Sequence, residues 1–379
     1  MIAKIRVLNC LHRAHFGGAQ WRVVWVGDEL RKHGVETTVL FPKNQDSAYE
    51  MFLQKRRFPY VRVKVPGIRA RRKILANLGF LLDLPFQIFR IKRLLLEGSF
   101  GIVHANGLTN IGPVLAGFLA GVPVVWHWND TLTPRWFAAL VLPFLGRRSW
   151  LVVASNAVFS SYELSQYEKR YLGVVPPPIQ PIDDSLPKEN ISWDKPVVGF
   201  VGNLLREKGI FEFVRAIDAL NREGTPVTGV AVGGPLSGHE ADLESLQREI
   251  ASLQFGSKVL LLGYRHDVPS LMQNFDVLLF PSYSEAAPIV VLQALATGVP
   301  IVSTPVGCVP EWLADTQMQM VPVGDVGAMV KAVKQQLSSN EPELATYRAT
   351  VSKLIRSRYS IEAVSMRHIE IYRHALHAT

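Results

Sequence analysis

The segment 280–312 constrains the fold of this chain more than any other stretch. The run 276–280, in which four apolar residues follow Asp276 and the last one begins the segment, has the length and composition of a buried strand, and it stops at Pro281, where polar turn residues follow. A segment with helical periodicity begins at Pro288, which suits the first turn of a helix because the N–H that proline lacks would be unpaired there. Another apolar run, 299–304, follows a glycine that ends the helix. Strand, loop, helix and strand in succession predict an α/β domain with ligands at the carboxyl ends of its strands.

Length and composition predict two domains. A chain of 379 residues, of which 48% are hydrophobic, is long enough for two packed cores. Its two cysteines, Cys10 and Cys308, are too few for a disulfide framework, which favours a reducing compartment. The first residues lack the layout of a cleavable signal peptide, and no apolar run of about 18 residues is free of Gly, Pro or charge. We therefore expect a cytoplasmic protein without a spanning helix.

The positive charge of the chain is concentrated in its N-terminal half. Residues 1–175 hold 24 Lys and Arg against 10 Asp and Glu, whereas 176–379 hold 17 against 22. The stretch 55–73 has nine cations and no acid, and an apolar, aromatic segment follows it. This layout fits an anionic membrane surface at the inner face of the membrane, and it fits equally a solvated loop before a core helix. No nucleic-acid-binding motif accompanies the cations, so we predict no nucleic-acid partner.

The first part of the chain, 1–175, predicts a Rossmann-like domain. A short strand is followed by Gly17 and Gly18 and then by a helix, so that the glycines permit close backbone approach and the helix start offers N–H groups to a phosphate. Two later buried strands end in polar clusters that contain His104 and His127. We expect both histidines at the carboxyl ends of their strands, facing a cleft.

A second Rossmann-like domain is predicted at 196–359. Three consecutive prolines open the linker 176–195, because they stiffen the chain and cannot lie in a central strand. The domain then begins with a buried strand whose turn carries Arg206 and Lys208 at the entrance to a helix. Cations and free N–H groups at such a place can hold a diphosphate together.

Two motifs resemble those of the retaining glycosyltransferases of the GT-B fold, family 4, also called group 1. The segment from Gly202 to Gly209, G-N-L-L-R-E-K-G, is similar to the family's phosphate-binding turn. The segment 280–312 is similar to its donor-sugar signature. The matching residues there are Pro281, Ser282, Glu285, Ala294, Ala296, Gly298, Pro300, Pro310 and Glu311. Gln293 departs from the pattern, which usually has a second Glu, and an amide loses the charge-assisted part of a hydrogen bond to a ribose hydroxyl.

The resemblance implies two Rossmann-like parallel-sheet domains facing each other across a cleft, with a C-terminal helix, 360–379, that packs back on the first domain. It implies that His127 approaches the donor sugar near the reacting carbon and that Glu285 holds the sugar hydroxyls, whereas we expect His104 to be a hydrogen-bonded core residue. The implied donor contacts are Arg206, Lys208, Gly17 and Gly18 for the diphosphate, Glu285, Ala287, Pro288, Ile289 and Gln293 for the sugar and ribose, and Tyr264 and Arg265 for the base.

The hypothesis from the sequence is a hexosyltransferase-type, retaining enzyme that moves a sugar from a nucleotide-sugar donor to a glycan or lipid-linked acceptor at the cytoplasmic membrane surface. No D-x-D pair stands at a strand end, so we predict no metal and no cofactor beyond the nucleotide-sugar co-substrate, with front-face displacement as the mechanism. Two alternatives stay open. One is a sugar-nucleotide epimerase of the same fold, and the other is a non-catalytic membrane or carbohydrate-binding protein on a decayed transferase scaffold. The donor, the acceptor and the oligomeric state are not predicted.

Overall fold

The computed structural model describes residues 4–13, 18–43, 47–64, 74–131, 133–144, 148–182, 193–236, 239–314, 316, 318–338 and 342–378. The chain divides into two compact units. Unit 1 comprises Met1–Pro178 and Ile361–Thr379, and unit 2 comprises Ile179–Ser360. The chain therefore passes from one unit to the other twice.

Unit 1 is built on a parallel sheet with seven strands in the described residues. In chain order they are β1 (Ile5–Cys10), β2 (Val35–Pro42), β3 (Tyr60–Val63), β4 (Ile102–Asn106), β5 (Val124–Trp128), β6 (Ser149–Val153) and β7 (Tyr171–Val174). Their spatial order is β3-β2-β1-β4-β5-β6-β7, and each neighbouring pair is parallel. The direction of winding reverses between β1 and β4, and ligands of open α/β sheets bind outside the carboxyl ends of strands at such a point.

Helices pack on the sheet of unit 1. They are α1 (Gly18–Lys32), α2 (Ser47–Lys55), α3 (Ile74–Glu97), α4 (Ile111–Ala120), α5 (Arg135–Val141), α6 (Asn156–Ser161) and, from the far end of the chain, α14 (Ile361–His377). Helix α14 packs against α1, β4 and β5. Its residues Val364, Ile369 and Tyr372 share one core with Val7 and Ile102. The first strand and the last helix of the chain are thus buried together.

Helix α3 is the longest helix of the described residues, with 24 residues and Pro85 inside it. One side of it is buried, through Gln87, Ile91 and Leu95, and it packs against α4. The contact with α4 is close, because a Cβ at Gly112 would stand 2.3 Å from Oε1 of Gln87. Neither α3 nor any other helix in the described ranges is long and apolar enough to cross a membrane.

Unit 2 repeats the architecture around a six-stranded sheet. Its described strands are β8 (Val197–Val201), β9 (Thr228–Val232), β10 (Val259–Leu261), β11 (Val277–Phe280), β12 (Ile301–Ser303) and β13 (Gln319–Met320). They lie in the order β10-β9-β8-β11-β12-β13, again all parallel. The winding reverses between β8 and β11, so the loops that follow these two strands lie at the switch point of this sheet.

Both faces of the second sheet are covered, which explains its nearly continuous apolar strands. Val197 and Val201 of β8 point to one core, whereas Val198 and Phe200 point to the other. The helices that cover the sheet are α7 (Ile210–Arg222), α8 (Glu240–Ser252), α9 (Val268–Met272), α10 (Ile289–Thr297), α11 (Val309–Leu313), α12 (Val326–Ser338) and α13 (Pro342–Arg358).

The prediction of two parallel-sheet α/β domains is confirmed. In the segment 280–312, β11 and α10 form as predicted, although Pro288 is the N-cap of α10 and not part of its first turn. The strand predicted at 299–304 is shorter, Ile301–Ser303. Such differences of one or two residues are usual at element ends.

Candidate active site

An ion pair stands at the switch point of unit 2. Nζ of Lys208 lies 2.7 Å from Oε1 of Glu285, and the two side chains are 21% and 19% exposed. Lys208 ends a short 3₁₀ turn between β8 and α7, and Glu285 lies in the loop between β11 and α10. The two residues that the sequence assigns to the diphosphate and to the sugar are therefore in contact with each other.

The loops that carry this pair are joined by their backbones. The N–H of Tyr283 donates to the carbonyl of Glu207 at 2.9 Å, and Oγ of Ser282 donates to the same carbonyl at 3.3 Å. Gly209 has φ +74°, and a Cβ there would stand 2.1 Å from the carbonyl oxygen of Pro281. Only glycine allows this backbone approach, which brings the turn after β8 against the end of β11.

A third loop supports Glu285 from the side of β12. The N–H of Cys308 donates to the carbonyl of Ala286 at 3.1 Å. Gly307 has φ +56°, and a Cβ there would lie 2.6 Å from the carbonyl oxygens of Glu285 and Ala286. Three loops, after β8, β11 and β12, thus fix the position of one carboxylate.

Helix α10 begins beside Glu285. Its N-cap residue is Pro288, so no side chain caps its first N–H groups. Ala287 and Ile289 are half-buried on either side of the buried Pro288. A helix start of this kind presents N–H groups and a positive dipole end to an anion.

Gln293 has a different partner from the ribose that the sequence predicts. Its side chain is buried, its Oε1 accepts from the N–H of Gln180 at 2.8 Å, and its Nε2 donates to the carbonyl of Gln180 at 3.3 Å. An amide can both accept and donate in this way, whereas a carboxylate could only accept. The sequence could not reveal this pairing because 113 positions separate the two residues.

The other predicted donor contacts of unit 2 lie in exposed positions. Tyr264 packs its ring on Gly234 and donates to the carbonyl of Pro235 at 2.8 Å. Arg265 pairs with Asp267, its Nε lying 2.8 Å from Oδ1. Arg206 stacks on Phe211, with Cζ 4.0 Å from the ring centroid, and does not join the pair of Lys208. Of the two cations predicted to hold the diphosphate, the structure places only Lys208 against Glu285.

In unit 1 the predicted catalytic residue His127 lies in the interior. Its side chain has no exposed surface, and Nη1 of Arg22 lies 3.0 Å from its Nε2. Arg22 is also buried and donates to Oδ1 of Asn129 at 3.0 Å and to Oδ1 of Asn106. The sequence predicts that His127 faces a cleft at the end of its strand, whereas in the structure its ring is buried, with its centroid 6.2 Å from that of His368 on α14.

Two more histidines accompany His127. His104 shares a hydrogen bond of 2.8 Å between its Nδ1 and the hydroxyl of Tyr372, and Nδ1 of His368 lies 2.8 Å from the carbonyl of Val364. One nitrogen from each of the three rings lies within 4.8 Å of the others. His104 is thus a hydrogen-bonded core residue, as the sequence predicts.

Burial and the charge of Arg22 keep these histidines neutral. The pKa values of His104 and His127 are held well below the ordinary value, chiefly by burial, and the pKa of His368 falls to about 4 for the same reason. Burial also lowers the pKa of Arg22 to about 10, so it stays a cation at neutral pH. A guanidinium can only donate, so Nε2 of His127 accepts from it and is not available to a metal. We therefore interpret the three rings as packed, neutral side chains.

Two polar residues follow β5 and reach the surface of unit 1. Asn129 and Asp130 are half-buried, and Oδ1 of Asp130 accepts from the N–H of Thr133 at 3.1 Å and from its hydroxyl at 2.9 Å. Gly18 begins α1 and is exposed, whereas Gly17 lies outside the described residues. Sequence reasoning missed Arg22, since nothing in the pattern of its helix marks a cation as buried.

Known proteins resemble this chain over between about half and nearly all of its length. It is 26% identical to the Bacillus subtilis (strain 168) glycosyltransferase EpsF over 321 residues, 78% of each chain. It is 28% identical to the lipopolysaccharide core biosynthesis mannosyltransferase LpsB of Rhizobium meliloti (strain 1021) over 188 residues, 48% of this chain and 53% of LpsB. The Anabaena protein HepE, solved in complex with UDP-glucose, superposes with a TM-score of 0.78 at 18% identity, covering 97% of this chain and 99% of HepE.

Two family descriptions match the two halves of the chain. Residues 17–164 match the glycosyl transferase 4-like domain, and residues 181–351 match the glycosyl transferases group 1. The first match lies in unit 1 and the second in unit 2. With the strand orders of both sheets and the likeness to HepE, they show that this chain belongs to the group 1 glycosyltransferases and has the GT-B fold.

Proposed function

We propose that unit 2 binds a nucleotide sugar at the Lys208–Glu285 pair and that the enzyme transfers this sugar to an acceptor. The observation that carries the proposal is the pair itself, a cation and a carboxylate held 2.7 Å apart at the switch point of the sheet. A diphosphate has the charge to replace the carboxylate on Lys208, which releases Glu285 to accept hydrogen bonds from sugar hydroxyls. The uncapped start of α10 adds N–H donors beside them. HepE, solved with UDP-glucose, makes a UDP-sugar the first donor to test.

The reaction that we propose retains the anomeric configuration and uses no metal. The acceptor hydroxyl oxygen forms a bond to the anomeric carbon while the bond from that carbon to the diphosphate oxygen breaks on the same face. The hydroxyl proton passes to the leaving phosphate. Lys208 and the N–H groups of Ala287 and Ile289 would offset the charge that develops on the diphosphate, whereas Pro288 has no N–H to donate.

Unit 1 supplies the acceptor side in this proposal. Since His127 is buried, we assign it and Arg22 to positioning Asn129 and not to contact with the sugar. The likeness to LpsB supports an envelope glycan or lipid-linked acceptor, and the net positive charge of the N-terminal half supports a reaction at an anionic membrane surface.

The test is an assay of sugar transfer from UDP-sugars, carried out with and without EDTA. The release of UDP and the anomeric configuration of the product are measured. We expect Lys208→Ala to lower kcat/KM by about 10²–10³, because it removes a charge-assisted contact to the leaving group. Lys334→Ala is the matched control, since Lys334 forms an exposed pair with Glu223, also at 2.7 Å. Conversion of the nucleotide sugar without UDP release would instead establish an epimerase. No turnover and no nucleotide binding would favour the non-catalytic scaffold.

A further inference from the structure

A second side-chain link joins the two loops of the candidate active site. The hydroxyl of Tyr283 donates to Oε1 of Glu212 at 2.9 Å. Tyr283 lies in the loop after β11, two positions before Glu285. Glu212 lies in the first turn of α7, four positions after Lys208. The link therefore connects the same two parts of unit 2 as the Lys208–Glu285 pair, but it uses neither of those side chains.

The carboxylate of Glu212 is largely buried. The residue is 8% exposed, and its Oε2 is buried without a hydrogen-bond partner among the described residues. A buried carboxylate is costly unless its oxygens accept hydrogen bonds or meet positive charge. The N-terminal dipole of α7 supplies part of this, and the charge of Arg215 acts on Glu212 from one turn further along the helix. The hydroxyl of Tyr283 supplies the hydrogen bond.

The surroundings of Tyr283 keep its hydroxyl in place as a donor. Burial and the hydrogen bond to Glu212 raise the pKa of Tyr283, so the phenol keeps its proton at neutral pH. A third loop approaches from β13, where Gly324 has φ +77° and a Cβ would stand 3.2 Å from the hydroxyl oxygen. The hydroxyl therefore lies between the start of α7 and the loop after β13.

The Lys208–Glu285 pair cannot hold Glu285 once a donor is bound. In the proposed function the diphosphate replaces the carboxylate on Lys208, so this restraint is lost when Glu285 accepts hydrogen bonds from the sugar hydroxyls. The hydrogen bond between Tyr283 and Glu212 does not depend on the exchange. It can therefore hold the loop of Glu285 against α7 in the donor complex.

We propose that Tyr283 and Glu212 are positioning residues that hold Glu285 against the donor sugar after the diphosphate has bound. The inference rests on the proposed function, because it requires Glu285 to contact the sugar. It separates two ligands that share the diphosphate. UDP has no sugar and should bind independently of the link, whereas a UDP-sugar should need it. A link that only stabilised the fold would not distinguish the two ligands.

The test compares Tyr283→Phe with the wild type in sugar transfer from a UDP-sugar and in inhibition by UDP. Since Tyr283 is 45% exposed and loses a single oxygen atom, the variant should fold. We expect kcat/KM for the UDP-sugar to fall roughly tenfold, because one hydrogen bond to a carboxylate is lost. The inhibition constant of UDP and the KM of the acceptor should stay unchanged.

The matched control is Tyr60→Phe. The hydroxyl of Tyr60, in β3 of unit 1, also donates to a carboxylate oxygen, Oε1 of Glu50, at 3.1 Å. Its loss removes the same kind of hydrogen bond away from the donor loop, so these kinetic constants should equal those of the wild type.

A double-mutant cycle with Glu212→Met tests whether the two residues act together. Met removes the acceptor at a similar volume, so Tyr283→Phe should have no further effect in that background. Three results would overturn the inference and leave the proposed function intact: wild-type kcat/KM in Tyr283→Phe, additive effects in the cycle, or equal weakening of UDP and the UDP-sugar. A wild-type chain that neither transfers sugar nor binds UDP would overturn the proposed function and this inference with it.

Discussion

Gln293 stands where the family pattern usually has a Glu, and it makes contacts that a carboxylate could make only in part. Its amide holds the backbone of Gln180 by two hydrogen bonds, just after the point where the chain enters unit 2. The neighbouring N–H of Ile179 donates to the carbonyl of Tyr359 at 2.8 Å, just before the chain leaves that unit. The amide therefore helps to hold the two crossing segments at one place in unit 2.

We predict that Gln293→Glu destabilises the protein although it restores the carboxylate of the family pattern. The change removes the donor to Gln180 and places a buried carboxylate beside a carbonyl, which we expect to lower the free energy of unfolding by about 1–3 kcal/mol. Urea unfolding measures this. Gln247→Glu, on the exposed side of α8, is the control and should change it by less than about 0.5 kcal/mol. Tighter UDP binding without loss of stability would show that the ribose role is correct.

At the scale of elements, the candidate site depends on loops that approach each other closely. Gly209 combines a left-handed backbone with contact to Pro281, whereas Gly224, at φ +77°, has no neighbour within 4 Å of a Cβ. A comparison of substitutions at these two glycines therefore separates the effect of left-handed backbone strain from the effect of steric contact.

We predict that Gly209→Ala lowers stability more than Gly224→Ala and also weakens nucleotide binding. Both substitutions carry the left-handed strain of about 1–2 kcal/mol, but only the first forces the loop after β8 away from β11. Thermal unfolding with and without UDP is the measurement. Equal effects of the two variants would contradict the role that we assign to the loop contact.

The packing of α14 on β4 and β5 predicts a dependence of stability on pH. The folded protein lowers the pKa values of His104, His127 and His368. As the pH falls below about 6.5, these histidines therefore bind protons in the unfolded chain but stay neutral in the folded one. The stabilisation is complete above that pH and is lost as the pH falls towards about 4, the folded pKa of His368, with a slope of about 1.4 kcal/mol per pH unit for each histidine.

The measurement is the free energy of unfolding in urea between pH 7.5 and 5. His368→Gln should reduce the slope of the free energy of unfolding against pH by the contribution of one histidine. Ser365→Ala, a buried change on the same helix, should leave the slope as it is. An identical slope in His368→Gln and the wild type would disprove the account.

At the scale of the whole molecule, each unit has hydrophobic cores of its own. Tyr372 lies in a core of unit 1 and Tyr359 in a core of unit 2. We therefore expect calorimetry to show two unfolding transitions, one for each unit. UDP should raise the melting temperature of the transition of unit 2 alone, since it binds to that unit in our proposal.

The two tyrosines give a matched pair of variants. Tyr372→Ala should lower the melting temperature of unit 1, because replacing a buried aromatic residue by Ala lowers the free energy of unfolding by about 3–5 kcal/mol. Tyr359→Ala should lower the melting temperature of unit 2 in the same way. The assignment of transitions to units fails if both variants move the same one.

The fold class and several residues of the candidate site can be predicted from local sequence patterns alone. Continuous apolar runs separated by helical segments predict buried parallel strands, and that pattern is local, so β8, β11 and α10 could be found from it. Lys208 and Glu285 were found because each follows a predicted strand. Their contact with each other depends on two loops that lie 77 positions apart in the chain.

Which polar residues are buried, and which partners they bind, depends on the three-dimensional fold. The cover of α14 over β5 places His127 inside the protein, and Arg22 gains neutral acceptors from three positions that are far away in sequence. Gln293 likewise finds Gln180 only when the chain is folded. Burial and hydrogen-bond partners depend on contacts between distant segments, whereas the periodicity that predicts strands and helices is a property of neighbours.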